Sequence, residues 1–331
     1  MLLAGFRYNK RTYVMKNFIK KIIYSPAIRK SGAPALRMLL RAAKKDYIIM
    51  CMDGGICSQM HFYVIGKHFE EQGFRVAYNM QWYRISGMDL DGRFVRNFDL
   101  LKLHPKLAFK TVENRMLLIL YRMFFMSRYV FDDDKDASCT WRNEVAPAYF
   151  PGYFRDVPEL FAAIMPKCFP LEVLSGCLDD DSIALRKRIM EKECVAMHVR
   201  RGDLSIYTEE YGSPCSTAYF SRAVRLLAER GVTRFFLFSD EPQWCRENLL
   251  PSLPAGNEYV IADGNGSDKG YMDLVLMASC SHTIASKGSL GKYSACLNNS
   301  ADRLVVCCDD MKERFWEKVF RNVIFLSNEE G

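Results

Sequence analysis

Two adjacent arginines follow an apolar run in the segment VAMHVRRGDL, residues 195–204. The guanidinium groups of Arg200 and Arg201 are planar, stay charged and match the geometry of phosphate oxygens. Gly202 allows the backbone to approach a ligand, and Asp203 can hold one guanidinium in register. These residue types indicate a pyrophosphate site, and the alternative is an arginine–aspartate ion pair that faces solvent.

A hydroxyl and an acid follow another apolar run, in FSDEPQW at residues 238–244. Ser239 and Asp240 end the run, and Pro242 lies where a helix could begin. Asp240 is placed like the acids that bind ribose or guanine donors in nucleotide sites. The alternative is that Asp240 caps the helix.

Glycine-containing turns follow two more apolar runs. In ASKGSLGKY, residues 285–293, Gly288 and Ser289 precede an apparent helix, whose first N–H groups and dipole favour an anion. An ordinary loop with a helix cap is the alternative. A tight turn near the N-terminus is formed by Asp53, Gly54 and Gly55.

Apolar runs alternate with helical segments, and these elements must position the polar residues. Five runs lie at residues 194–199, 234–238, 258–262, 282–285 and 303–308. Between the first two, apolar residues repeat at helical spacing at Tyr219, Ala223, Val224 and Leu227. The pattern predicts βαβ units, a parallel sheet and a Rossmann-like domain over residues 186–310. Ligands of such sheets bind beyond the carboxyl ends of the strands, where the arginine pair lies.

The first half of the chain opens with the same pattern. DYIIMCM predicts a strand, SQMHFYVIGKHFEEQG a helix and FRVAY the next strand. We therefore expect an α/β fold with a second α/β domain over residues 46–185. A basic segment, residues 1–45, precedes it, and a C-terminal helical segment is expected over residues 311–331.

Composition narrows the class of protein. The chain has 331 residues, of which 49% are hydrophobic and 26% charged, as in globular proteins of two domains. Its 12 cysteines form no CxxC pair, which favours a reducing compartment. The sequence shows neither a signal peptide of the usual form nor about 18 consecutive uncharged apolar residues, so we expect a cytoplasmic protein.

Positive charge is concentrated in residues 1–45. This segment holds twelve Lys or Arg and no acid, so the remainder carries +7 minus 12, or −5. In KNFIKKIIYS, one helical face carries Phe18, Ile19, Ile22 and Ile23. Two interpretations stay open: peripheral binding to an anionic inner-membrane surface, or a basic helix packed on the protein. Nucleic acid is not expected as a partner, because the remaining chain has no interleaved basic and aromatic residues.

The sequence resembles the family 11 glycosyltransferases, the α-1,2-fucosyltransferases. HVRRGD at 198–203 matches the family's H-x-R-R-G-D, and FSDEPQWC at 238–245 matches its F-S-D-D-x-x-W. DLVLMASCSHTIA at 273–285 and the N-terminal DGGICSQMHFY at 53–63 also match, and the four segments lie in family order. The resemblance covers about residues 47–300.

The chain departs from the family at two places. Where the family commonly has N-S-S-F-S-W-W, residues 287–293 are KGSLGKY, in which Ser289 is kept and both tryptophans are missing. The family's G-N pair is replaced by Cys57 and Ser58, and a glutamine by Phe62. Because Arg200 and Ser289 remain, the departures concern the acceptor pocket and the sugar preference rather than the pyrophosphate.

The resemblance implies two Rossmann-like domains that face a cleft, the GT-B-like arrangement, with the acceptor on the N-terminal domain and GDP-fucose mainly on the second. It implies inverting transfer of L-fucose to the 2-hydroxyl of a terminal galactoside, in surface glycan synthesis, without a metal or cofactor. The acceptor would be a galactose-terminated oligosaccharide or a glycolipid. Arg200 would stabilise the charge that grows on GDP, Arg201 and Asp203 would orient the loop, and His198 would lie near the ribose or base.

The general base that takes the acceptor proton is left open by the sequence. The candidates are Asp53, His61, Glu209 and Glu210. MDLDG, residues 88–92, contains a DxD that we interpret as a turn. Alternative functions are fucose transfer in another linkage, protein O-fucosylation, and binding of a GDP-sugar without catalysis.

Overall fold

The computed structural model describes residues 26–85, 95–126, 146–150, 158–206, 208, 213–266, 268–298 and 300–329. Residues 1–25, which include the apolar stripe of the basic segment, lie outside this part. So do Asp89, Asp91, Glu209 and Glu210. The predictions made for these residues stay predictions.

The elements alternate between helix and strand in both halves of the chain. The N-terminal half contains α1 Pro26–Ala42, β1 Tyr47–Cys51, α2 Ile56–Glu71, β2 Arg75–Asn79, α3 Gln81–Ile85, α4 Leu100–Leu103, α5 Arg115–Phe124 and β3 Ala148–Phe150. The C-terminal half contains α6 Met165–Cys168, α7 Leu171–Leu174, α8 Asp180–Met190, β4 Val195–Val199, α9 Gly202–Ile206, α10 Thr217–Ala228, β5 Arg234–Ser239, α11 Pro242–Trp244, β6 Glu258–Ala262, α12 Gly270–Ala278, β7 His282–Ala285, α13 Leu290–Cys296, β8 Val305–Cys308 and β9 Val323–Leu326. Short 3₁₀ or π turns lie at Leu160–Ile164, Ser175–Cys177, Cys245–Leu249, Leu250–Ser252 and Glu313–Lys318.

Within the described residues the strands form two parallel sheets. The first has the order β2-β1-β3, and the second has the order β6-β5-β4-β7-β8-β9. The predicted α/β class with two parallel sheets is confirmed, and all five apolar runs of the second half are strands. The predicted cleft between two domains stays a prediction.

The second sheet has the doubly wound strand order, in which the chain reverses direction across the sheet between β4 and β7. These strands pair directly, with Val195 opposite His282 and His198 opposite Ala285. The loops after β4 and β7 therefore leave the same edge side by side. This switch point is where open α/β sheets bind ligands.

One face of the second sheet is covered by α10, as the helical spacing of its apolar residues predicts. Tyr219, Val224 and Leu227 pack in the same buried cluster as Val195 and Met197 of β4. The side chain of Ser216 caps the helix by accepting a hydrogen bond from the Tyr219 N–H at 3.1 Å. Burial of this apolar face holds β4 rigidly beneath the loop that follows it.

The chain divides into two compact units that interleave in sequence. One comprises residues 1–52, 69–82 and 109–154, and the other residues 53–68, 83–108 and 155–331. Residues 46–185, predicted as one domain, are thus shared between both units. The local reason is the packing of α2: Gln59 bonds to the backbone of residues 97–100 within the second unit, whereas Phe69 packs on Phe150 in the first.

The C-terminal segment, predicted as helical over residues 311–331, contains a single 3₁₀ turn, Glu313–Lys318, followed by β9. β9 extends the second sheet, with Val305 opposite Val323. The apolar run VIFL is only four residues long and half of it is β-branched, which suits an edge strand better than a helix.

Among the described helices, none is by itself long and apolar enough to span a membrane. A bent pair, Leu160–Cys168 with Leu171–Cys177, meets the requirements of length and composition together.

Tyr219 provides a test of how the helix fixes the strand ends. Its buried hydroxyl contacts two carbonyl oxygens, Ala285 O at 2.7 Å and Val306 O at 3.1 Å. We expect Tyr219→Phe to lower the free energy of unfolding by about 1 to 3 kcal/mol, because two buried acceptors lose their donor. Tyr259→Phe, which removes the partly exposed hydroxyl that bonds Pro254 O at 2.7 Å, is the control and should cost less than about 1 kcal/mol. Equal losses in urea unfolding would contradict this account.

Candidate functional site

Arg200 lies directly after β4, and its guanidinium is held between two carboxylates. Nε donates to Asp203 Oδ1 at 2.9 Å, and Nη2 lies 2.7 Å from Asp203 Oδ2. Nη1 lies 2.8 Å from Asp240 Oδ2. Because a bidentate contact fixes the plane as well as the position of a guanidinium, Arg200 is oriented by the protein itself.

Asp240 connects the loop after β5 to the arginine loop. Its second oxygen, Oδ1, accepts a hydrogen bond from the Arg201 N–H at 3.0 Å. Burial raises the pKa of Asp240 above its ordinary value, against the opposing effect of the Arg200 guanidinium. A Cβ on Gly202 would lie 2.5 Å from Asp240 Oδ2, so the close approach of Asp240 to the arginine loop requires glycine at position 202. Asp240 therefore binds the arginine loop and does not cap α11, whose N-cap residue is Glu241.

Arg201 is held by a different set of groups. Its Nε donates to Glu241 Oε2 at 3.2 Å, and its guanidinium carbon lies 3.7 Å from the centre of the Trp244 ring. Ser239 donates from Oγ to Val199 O at 2.9 Å and accepts from the Glu241 N–H at 3.0 Å, and its contact with the donor stays a prediction. The loop after β5 is thus fastened to the end of β4 by several bonds.

Ser286, the first residue after β7, joins the two central strands at the switch point. Its Oγ accepts from the Arg200 N–H at 2.9 Å and lies 3.1 Å from His198 Nδ1. Its own N–H donates to His198 O at 3.1 Å. Burial, with Arg200 and Lys292 nearby, lowers the pKa of His198 to about 3, so this ring is neutral at physiological pH.

The glycine turn before α2 is near the same place. Gly54 has a φ of +69°, and its carbonyl accepts from Gln59 Nε2 at 3.1 Å. A Cβ on Gly55 would lie 3.9 Å from Cδ of Arg96, whose Nη2 lies 3.3 Å from Asp203 Oδ2. Arg96 therefore shares the Asp203 carboxylate with Arg200, next to the turn.

The loop after β7 contacts the start of α2. The Cys57 thiol is hydrogen-bonded with Ser289, and burial raises the pKa of Cys57 to about 12, so the thiol is protonated. Gly288 has a φ of +97°, and a Cβ there would lie 3.6 Å from Arg200 Cγ. The helix that follows, α13, is only seven residues long. The structure thus brings Gly288, Ser289 and the glycine turn to the arginine loop.

The candidate bases occupy different surroundings. Asp53 is half-buried and directly precedes the glycine turn. His61 is buried against the Phe161 ring, with a centroid separation of 5.5 Å, and its Nδ1 lies 3.3 Å from the Tyr293 hydroxyl. Burial lowers the pKa of His61 to about 4. The choice between these two residues and Glu209 stays open.

Three residues of the site were missed by sequence reasoning: Arg96, Ser286 and Lys292. Ser286 had a usable signal, because it follows β7 as Arg200 follows β4, and parallel neighbours end at the same edge. Arg96 has no comparable signal, since it follows no predicted strand. Lys292 appeared only as a departure from the family pattern.

The arrangement is suited to bind an anion at the switch point. Arg200 is 25% exposed, so its field is less screened than that of a surface arginine. Its orientation is set before any ligand arrives, which removes a cost of reorganisation. In the part of the chain that the structure describes, no cluster of three or more His, Cys, Asp or Glu could hold a metal ion.

Comparison with known proteins finds similarity in this region. Residues 172–325 match the family described as Glycosyl transferase family 11. Galactoside alpha-(1,2)-fucosyltransferase 1 of Saimiri sciureus is 33% identical over 106 residues, which are 31% of this chain and 28% of that protein. Alpha-1,2-colitosyltransferase of Escherichia coli is 25% identical over 162 residues, 48% of this chain and 50% of that protein.

The match therefore spans 28% of the length of the first relative and half of the second. Among solved structures, that of POFUT1 in complex with GDP-fucose is 13% identical with a TM-score of 0.41, covering 86% of this chain and 98% of that one. The match to glycosyl transferase family 11 contains β4 to β8 and both loops of the switch point.

Proposed function

We propose that the protein is an inverting α-1,2-fucosyltransferase that transfers L-fucose from GDP-fucose to the 2-hydroxyl of a terminal galactoside in surface glycan synthesis. The observation that carries the proposal is the fixed Arg200 guanidinium at the switch point, held by Asp203 and Asp240. The family match and the names of the relatives support the reaction.

In the proposed reaction the acceptor hydroxyl attacks the anomeric carbon of fucose from the side opposite GDP. The bond from that carbon to the phosphate oxygen breaks, and its electron pair leaves with GDP. Negative charge therefore grows on the pyrophosphate, and the interaction with Arg200 strengthens as the transition state is reached. The general base, Asp53, His61 or Glu209, takes the acceptor proton.

Arg200 and Arg96 both contact the Asp203 carboxylate. The charge of this group bears on how the GDP leaving group is stabilised. With Asp240 counted, the two guanidinium groups and the two carboxylates carry no net charge, so the fixed N–H groups of the guanidinium groups, rather than an excess of positive charge, would act on the pyrophosphate. Fixed donors of this kind can take the place of a divalent metal at a phosphate leaving group. We therefore propose that transfer needs no metal or other cofactor.

A second donor is favoured by one observation. A relative named alpha-1,2-colitosyltransferase matches over 48% of this chain. Transfer of colitose in the same linkage is therefore the second candidate. Membrane binding by residues 1–45 and a cytoplasmic location stay predictions.

The function is tested by turnover with a panel of β-galactosides and with GDP-fucose or GDP-colitose as donor, in excess EDTA. We expect GDP release and a product with the sugar on the galactose 2-hydroxyl, at the same rate with and without EDTA. Another linkage, or transfer only to protein, would refute the assignment. Activity that EDTA abolishes and manganese restores would refute metal independence and point to Asp89 and Asp91.

The role of Arg200 is tested by Arg200→Lys, with Arg201→Lys as the matched control. Lysine keeps the charge but cannot make the bidentate contact with Asp203, so GDP affinity should fall modestly. Turnover should fall much further, by about 10² to 10³, because a fixed donor of this kind acts mainly in the transition state. The measurements are kcat at saturating acceptor, GDP affinity by calorimetry and thermal unfolding.

Arg201→Lys should cost less in turnover, because Arg201 contacts Glu241 and Trp244 rather than the carboxylates that hold Arg200. If folded Arg200→Lys keeps near-normal turnover, or if Arg201→Lys is the more damaged, Arg200 does not have this role.

A further inference from the structure

Lys292 is an interior lysine on α13. Its side chain is 2% exposed, and Nζ lies 2.5 Å from Glu313 Oε2 and 3.2 Å from Ser286 O. Lysine is almost never buried this completely without a paired charge. The Glu313 carboxylate supplies that charge, and the Ser286 carbonyl accepts a further N–H of the ammonium group.

Ser286 connects Lys292 to the arginine loop, because its other polar groups bond to residues at the end of β4. Its carbonyl is bound by Lys292, its N–H donates to His198 O, and its Oγ accepts from the Arg200 N–H. Each polar group of Ser286 is therefore bonded to a different part of the switch point. A shift of the Ser286 backbone would move the main chain of Arg200 directly.

Glu313 brings the C-terminal segment into this network. It lies in the 3₁₀ turn Glu313–Lys318, whose Trp316 ring is buried and packs 6.3 Å from the Tyr293 ring, centroid to centroid. The Lys292 ammonium lies 6.0 Å from the Trp316 ring centre. The Lys292–Glu313 ion pair therefore packs next to the Trp316 ring, which restricts the movement of both side chains.

Lys292 lies in a segment where the sequence departs from the family that it resembles. In KGSLGKY, Lys292 stands where the family commonly has the first of two tryptophans. Replacing a large apolar ring by a buried ammonium requires a new counter-ion and a new acceptor. Both are present in Glu313 and the Ser286 carbonyl.

We propose that Lys292, with Glu313 as its counter-ion, is a positioning residue that fixes Ser286 and, through it, the Arg200 main chain at the donor site. The proposal rests on the proposed function, since it assigns Lys292 to the geometry of the donor-binding loop. A purely structural ion pair would stabilise the fold without affecting donor binding.

The test separates these two roles with the double variant Lys292→Met/Glu313→Met. Replacing a buried ion pair by apolar side chains of similar volume is often neutral or stabilising, so we expect this variant to fold. It nevertheless removes the donor to the Ser286 carbonyl. We expect GDP affinity to fall several-fold and kcat to fall about tenfold or more, because a displacement of about 1 Å can cost about 10²-fold in rate.

The matched control is Arg303→Met, which removes another buried cation. Arg303 donates to Met277 O at 3.2 Å and to Thr283 Oγ1 at 2.8 Å, before the start of β8 and so at the opposite edge of the sheet. This variant should lower thermal stability and leave GDP affinity and kcat within about twofold once folded protein is counted. Equal losses of GDP affinity in both variants would overturn the proposal.

Two measurements test the proposal independently of fucose transfer. They are GDP affinity by calorimetry and the rate of hydrogen–deuterium exchange of the Arg200 amide. We expect faster exchange at Arg200 in the double variant, because the bond to Ser286 Oγ is weakened. A folded double variant with unchanged exchange and GDP affinity refutes the role of Lys292, whatever the reaction. Normal GDP binding by the natural protein without sugar transfer refutes only the proposed function.

If the double variant does not fold, Lys292→Gln replaces it. Glutamine is one bond shorter than lysine and carries no charge, so it weakens the contact with the Ser286 carbonyl. A loss of GDP affinity with Lys292→Gln supports the proposal, and unchanged affinity overturns it.

Discussion

The direct pairing of β4 with β7 is the constraint on which the site depends. His198 lies opposite Ala285, so the residues that follow the two strands, beginning with Arg200 and Ser286, leave the sheet at the same edge. The hydrogen bond from the Arg200 N–H to Ser286 Oγ joins the loop after β4 to the loop after β7. Without this register, residues 86 positions apart in sequence would not meet.

Fixing a guanidinium with carboxylates has two opposing effects. Asp203 and Asp240 neutralise part of the Arg200 charge, which weakens its attraction for an anion in the ground state. They also hold its plane in place, so no energy is spent on reorientation when charge develops on a leaving group. Arg96, on the second side of Asp203, restores part of the positive charge. Such a site favours the transition state over simple donor binding.

Local patterns in the sequence predicted β1, β2 and β4 to β8, the α10 helix and the position of the arginine loop, because period and turn residues determine these features. The partners of that loop were not predictable. Asp240 is 39 residues from Arg201, and Arg96 is 107 residues from Asp203. The packing of β5 beside β4 directs the Asp240 carboxylate to the arginines, which contradicts the helix cap and leaves the nucleotide contact a prediction. The strand β9 was missed because four apolar residues near a terminus carry no periodicity.

The central claim is that Arg200 is oriented by the protein and receives the donor pyrophosphate in that orientation. The most direct measurement is a crystal structure of the complex with GDP. We expect pyrophosphate oxygens within hydrogen-bond distance of the Arg200 guanidinium, with the contacts from Arg200 to Asp203 kept. A pyrophosphate bound elsewhere, or an Arg200 side chain that leaves Asp203 to reach it, would contradict the account.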